Sequence, residues 1–348
     1  MSKRWVKRWL VSIGVSVCAL TLVSIIHTPS VSAATYTNAE QRQIDKQRKM
    51  YHKISQREYD DHNSYARRPS FKKHLVAGKL SNQYQTQLLA SLNFYRQIEG
   101  LPTVHYEFNT NQQAQTAAAD MAAANNFQHG LKGIERPGIV SQQQWQEGQQ
   151  ITLNSNIGEM NVPERLDATM GNYIRDNFNV EGNNTGHRAW LLSPVIHSVG
   201  IGVAHRPNAT FAYSDIYFTD QAQRAVTPNR AVVINYPTTG VFPKELLTSD
   251  VKNRPVYWSS AFTMEQGTTG RVQVQVTDLT AKRTVNASHV NLDRTNHFGQ
   301  FASIITYRPS LKIVNGHKYR VRLTGLTQYP KGYQYQFKPF SLSRDASH

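Results

Sequence analysis

The stretch HSVGIGVAHRPNATFAYSDIYFT, residues 197–219, decides the fold. Val199, Ile201 and Val203 alternate with Gly200 and Gly202, a short Arg-Pro-Asn-Ala segment follows, and Phe211, Tyr213 and Tyr217 then alternate with smaller residues. A period of two on both sides of a turn reads as a β-hairpin. The two glycines leave one face of the first strand nearly bare, so another element has to pack close against it.

Upstream of the hairpin the period is helical. In residues 81–102, SNQYQTQLLASLNFYRQIEGLP, the residues Tyr84, Leu88, Leu92 and Tyr95 fall on one face; Ser81 or Asn82 caps the start, and Gly100 with Pro102 ends it. Residues 109–126 place Ala114, Ala118, Met121 and Ala122 on one face, and alanine removes the bulk that would hold a neighbour away. A third helix is expected in residues 161–177, with Asn161 as cap and Glu164 three residues later. Helices before and a hairpin after make residues 81–225 a layered α/β domain. Beyond Val226 the helical period disappears: AVVINYP, RVQVQVTDL, SIITY, KYRVRLTGL and YQYQFKPF alternate between turn residues. Residues 226–345 are therefore expected to form an all-β sandwich of immunoglobulin-like size, giving an α+β chain.

Residues 34–80 contain few aliphatic side chains and are expected to be a basic polar tether with transient helix. Ahead of them, residues 1–33 carry four basic residues, an apolar run from Leu10 to Ile26 and a Val31-Ser32-Ala33 ending. That is the layout of a secretory signal peptide cleaved after Ala33 or Ala34. An uncleaved anchor is the alternative, since about 17 apolar residues approach the minimum span of a bilayer. The one cysteine, Cys18, lies in this run, so the chain after cleavage has none and its core must stand without disulfides. These features point to an exported bacterial protein, secreted or extracellular, with no transmembrane span once the signal is removed.

Charge is unevenly distributed. Residues 34–80 carry 11 basic and 5 acidic groups, residues 81–225 carry 8 and 12, and residues 226–348 carry 16 and 6, within a net charge of +16. Basic flanks on an exported protein face anionic wall polymers or the cell surface, and nucleic acid is not expected as a partner. A basic surface that only keeps the protein soluble is the competing reading.

Five polar residues of the middle domain stand at predicted helix ends or in adjoining loops, where distant groups converge on one cleft: His129, Glu159, Asp176, Glu181 and His187. Two imidazoles with two carboxylates can hold a divalent metal, act as an acid–base pair, or form a network that only closes the domain. No His-Glu-x-x-His, Cys-x-x-Cys or Gly-x-Ser-x-Gly signature chooses between these.

The ordered set NFYRQIEGLP, AAADMAAANNFQHG, NIGEM, GNYIRDN, GHRAWLLSP and VGIGVA…FAYSDIYFTD resembles the CAP superfamily, which contains the cysteine-rich secretory proteins, antigen 5 and plant pathogenesis-related 1 proteins. The resemblance, closest to secreted bacterial members, covers about residues 81–222. It implies an α-β-α sandwich with a cleft lined by two histidines and two acids. By motif these are His129, Glu159, Asp176 and His187, with Glu181 a rival for the second acid. Met160 replaces the usual Asn, Tyr173 and Asp176 replace a Trp-x-x-Glu pair, and Arg188 replaces an aromatic residue.

With the signal layout and the basic flanks, the resemblance gives the expectation of a secreted, cell-wall-associated protein whose cleft takes a small ligand or a divalent metal such as zinc on His129 and His187. The alternative is a metal-dependent extracellular hydrolase acting on peptide or wall material through the same residues. Other polar groups carry less: His105, His197 and His205 are expected at the surface or at strand edges, Ser214 in a strand without a catalytic role, and Trp145 and Trp190 in the core or at the cleft rim.

Overall fold

The computed structural model of the chain describes residues 36–54, 56–179, 184–218, 232–249 and 251–343. The expected signal segment, Cys18, Glu181 and the boundary at residue 226 lie outside the described residues. Six helices are described: α1 (Asn38–Tyr51), α2 (Asn82–Ile98), α3 (Phe108–Ala124), α4 (Gln142–Leu153), α5 (Leu166–Arg175) and α6 (Gly186–Leu191). The central sheet contains β1 (His105–Tyr106), β2 (Ser155–Asn161), β3 (Ser198–Ala204) and β4 (Phe211–Tyr217), in the order β1-β3-β4-β2. The short β1 is parallel to β3, and the other pairs are antiparallel.

The bare face of β3 is filled as its glycines require. A Cβ at Gly200 would stand 2.1 Å from the carbonyl oxygen of Thr110, and one at Gly202 would stand 2.1 Å from that of Ala114, both in α3. The helix also completes the strand's hydrogen bonds where β1 is too short to reach. Gln115 accepts from the Val203 N–H at 3.1 Å and donates to its carbonyl at 2.9 Å, and Asn111 accepts from the Ile201 N–H at 2.9 Å. On this side of the sheet Ala118, Met121, Ala122 and Trp145 pack with Ile157 and Tyr213. On the other side Val199, Ile201 and Val203 join Leu88 and Leu92 of α2 and Met170 and Ile174 of α5. The result is the α-β-α layering.

Three expectations need correction. Residues 36–80 are not a tether. Helix α1 begins with a Thr37–Glu40 capping box, and Ile44, Ile54, Tyr59, Leu75 and Leu80 are all buried. Too apolar-poor to fold alone, the segment is folded by docking: Arg48 donates to the Ser341 carbonyl at 2.8 Å, Lys338 pairs with Glu40 at 2.7 Å, and the Tyr51 hydroxyl donates to Asp167 at 2.8 Å. Asn161 does not cap a helix; it ends β2, and α5 starts only at Leu166. Glu164 is instead buried between Tyr84 and Thr169, because its side chain finds a phenol and a hydroxyl in the core. His205 is 5% exposed and 3.2 Å from Asp61, whereas His105 and His197 are exposed as expected.

Among the described residues the C-terminal region holds nine strands: β5 (Val233–Tyr236), β6 (Gly240–Pro243), β7 (Trp258–Phe262), β8 (Thr268–Asp278), β9 (Arg283–Asn286), β10 (Ser288–Asp293), β11 (Ser303–Arg308), β12 (Tyr319–Leu326) and β13 (Tyr333–Phe340). They form a sheet β5-β7-β11-β10 and a sheet β6-β13-β12-β8-β9. The first order corresponds to the A-B-E-D sheet of an immunoglobulin sandwich, and β13-β12-β8 of the second to G-F-C. The sheets meet through Trp258 against Phe337, ring centroids 5.3 Å apart, and through the hydroxyls of Tyr307 and Tyr335 at 2.9 Å.

Candidate functional site

Helix α5 stops at Asp176, which adopts a left-handed conformation (φ 54°, ψ 26°) that aspartate tolerates better than most residues. The turn directs its fully buried side chain onto α6. One carboxylate oxygen lies 2.9 Å from His187 Nδ1 and accepts from Asn179 Nδ2 at 3.1 Å; the other accepts from the Arg188 backbone N–H at 3.2 Å. A carboxylate accepting from an amide and a backbone donor is an acceptor toward the ring as well, so Nδ1 carries the hydrogen. In the neutral ring this leaves Nε2 as the acceptor nitrogen. The His187 side chain is 22% exposed and no described group hydrogen-bonds Nε2.

The ring is also held from the side. Tyr173 meets it edge-on, with centroids 5.2 Å apart and planes at 84°, while the Tyr173 hydroxyl lies 2.5 Å from Ser214 Oγ. Tyr173 lies across the sheet over Gly158, where a Cβ would stand 2.3 Å from its hydroxyl. Asn156 of β2 donates to the His187 carbonyl at 3.0 Å, tying α6 to the edge strand. Ser214 is buried in β4 and engaged with Tyr173.

His129 is exposed at the start of a single turn, His129–Leu131, whose Leu131 is buried, and its Nδ1 is 2.8 Å from the carbonyl oxygen of Thr152 at the end of α4. A carbonyl only accepts, so Nδ1 again carries the hydrogen and Nε2 again is left as an acceptor. Glu159 follows Gly158 on β2, and alternation puts it on the opposite face, paired with Tyr213 across the strands. It is exposed, and its charge adds to burial in raising the Tyr213 phenol. The structure thus joins Asp176 and His187 directly and leaves His129 and Glu159 without a hydrogen bond or ion pair to that dyad.

Among the described residues no group of three or more His, Cys, Asp or Glu side chains is arranged to hold a metal ion. The donor set offers two imidazole nitrogens in the tautomer that ligates metals, and it does not build a closed shell.

Residues 89–219 match the family model described as CAP: Cysteine-rich secretory protein family. This segment is a CAP domain. Comparison with curated proteins returned no match. Within the CAP domain the substitution of Arg188 for an aromatic residue has a structural reason. Its guanidinium is buried and donates to the carbonyls of Ile174 (3.1 Å) and Tyr257 (2.7 Å) and to Ser259 Oγ (3.2 Å), and it lies 4.0 Å from the Tyr236 ring centroid. Burial lowers its pKa, and the Tyr236 ring and Asp176 oppose that shift. Arg188 therefore fastens the helix bearing His187 to the β-sandwich. Gly186 and Gly299 record the same contact: a Cβ at the first would stand 3.3 Å from the Phe298 ring, and one at the second would stand 2.2 Å from the Ala189 carbonyl oxygen.

Sequence reasoning noticed Arg188 and Tyr173 only as departures from a pattern. Asp215, the acid next to Ser214 in β4, is fully buried beside Ser155 (2.7 Å) and pushed up to about 8 by burial, an environment its sequence neighbours do not announce. An aspartate at an inward strand position was the available signal.

Proposed function

We propose that the chain is an extracellular binding protein of the CAP type, held at an anionic cell surface by its basic flanks, whose cleft takes a small ligand on the Nε2 atom of His187, with His129 as a second contact. The observation that supports this reading is the orientation of the two imidazoles. Each spends its Nδ1 hydrogen on a fixed protein oxygen and keeps an unprotonated Nε2 for a donor hydroxyl, amide or divalent cation. The N-terminal layout of residues 1–33 supports export, and among the described residues no helix is long and apolar enough to cross a membrane.

Zinc titration of the purified chain by calorimetry tests the cation form of this reading. Binding that weakens about 10–100-fold in Asp176→Asn, and is lost in His187→Ala with the fold intact, is the expected result. Equal uptake by wild type and His187→Ala removes it. The second reading, metal-dependent hydrolysis of peptide or wall material, is favoured by the same carboxylate-oriented imidazole, which is the arrangement of a general base. Because Ser214 Oγ is engaged with Tyr173, the nucleophile in that case is water. Chelator-sensitive cleavage of a peptidoglycan or peptide mixture, lost in His187→Ala, would establish that reading over simple binding.

A further inference from the structure

A cleft of about 470 Å³ opens where the end of α5 meets the β-sandwich, lined by Asn177, Asn179, Ser249, Asn253, Arg254, Tyr257 and Arg308 among others. Its size falls in the range of ligand sites, and its lining is unlike their usual apolar walls. Two guanidiniums face it, none of the described lining residues is acidic, and among the described residues neither arginine has a carboxylate partner. Arg254 is braced by the Phe178 ring, 5.9 Å from its centroid, and Arg308 ends β11. Asn177 forms part of the wall, 7% exposed: it donates to Ser249 Oγ at 3.0 Å, and its own carbonyl oxygen is buried without a donor.

We propose that this cleft binds a phosphate-bearing, hydroxyl-rich chain, a polyol-phosphate or phosphosugar segment, with Arg254 and Arg308 on phosphate oxygens and the asparagines and Tyr257 on hydroxyls. Guanidinium pairs match the oxygen spacing of phosphate, and carboxamides and phenols both donate to and accept from hydroxyl groups. The inference deepens the surface-attachment part of the proposed function by naming its site, and it does not depend on what His187 binds. The cleft nevertheless touches that dyad, because Asn179 lines it and donates to Asp176.

The test measures binding of a glycerol-phosphate oligomer to the full chain by calorimetry at low and physiological salt. Arg254→Glu with Arg308→Glu should weaken binding about tenfold or more, while the equal charge change Lys282→Glu with Arg283→Glu, at the exposed start of β9, should leave it nearly unchanged. All four positions are exposed, so unchanged thermal midpoints are expected and verify folding. His187→Ala should bind normally; loss there would move the ligand to the histidine site and overturn the proposal. Equal weakening by both charge reversals would reduce the effect to diffuse attraction and also overturn it. Inorganic phosphate at the same concentration should compete poorly, and full competition would remove the hydroxyl-rich class. Anionic phospholipid vesicles captured through Arg254 and Arg308 in preference to the oligomer would reassign the site to a lipid headgroup.

Discussion

Four carboxyl groups are placed where a charged form is costly, and one of them, Glu99, is pushed up to about 8 by burial against the opposing charge of Arg188. Asp215 and Asp120 are fully buried and both are pushed up to about 8, chiefly by burial; Glu164, also buried, is pushed to about 7. Hydrogen bonds from Ser155, Gln144, Tyr84 and Thr169 oppose the rise and do not cancel it. In the unfolded chain these groups ionise near their ordinary values, so between about pH 4 and pH 8 the folded state holds protons that the unfolded state has lost. Stability therefore falls as pH rises through that window. The thermal midpoint should be higher at pH 5 than at pH 8 by several degrees, and Asp215→Asn should flatten the slope; a midpoint rising toward pH 8 would contradict the assignment. Asp176, by contrast, stood out in the sequence only through its place in the motif order. What the sequence did not reveal was its pairing, because a left-handed helix end and a six-residue helix leave no periodic pattern.

At the scale of elements, the helix α3 and the strand β3 were readable in advance. Alanines on one helix face and glycines on one strand face are complementary signals of close approach, and the structure brings them together. The contact also ranks two substitutions. In Gly202→Ala the new methyl would meet backbone atoms of Ala114 and Gln115, which can move only if α3 moves. In Gly158→Ala it would meet the tip of the Tyr173 side chain, which can rotate. Overpacking commonly costs about 1–3 kcal/mol. Urea unfolding should place Gly158→Ala within that range and Gly202→Ala at its top or above. Only Gly158→Ala should also disturb the His187 ring, through displaced Tyr173. The mistaken helix cap at Asn161 belongs here too: a capping-box spacing was present, and the buried environment of Glu164 won over it.

Over the whole molecule, the described residues from Tyr36 onward form one compact unit. The sequence pointed to a string of modules, because composition changes sharply near residues 80 and 226. It could not show that α1 is held by carbonyls and charges nearly 300 positions away, such as Ser341 and Lys338, since contacts of that range impose no local period. The same limit hid the role of Arg188. Removing its side chain leaves the carbonyls of Ile174 and Tyr257 without their donor and opens a cavity against Tyr236. Arg188→Ala is predicted to cost about 3 kcal/mol or more. Wild type should unfold in urea in one transition and Arg188→Ala in two, as the CAP domain and the β-sandwich lose their shared fastening; a single unshifted transition would show that the contact carries little.

The central claim is that His187 is held by Asp176 with its hydrogen on Nδ1 and Nε2 left for a ligand. Nitrogen-15 NMR of the histidine rings, at a pH where they are neutral, reads that directly. The Nδ1–H tautomer at His187, lost or mixed in Asp176→Ala, is the predicted result. An Nε2–H ring at His187 in the wild-type protein would contradict it.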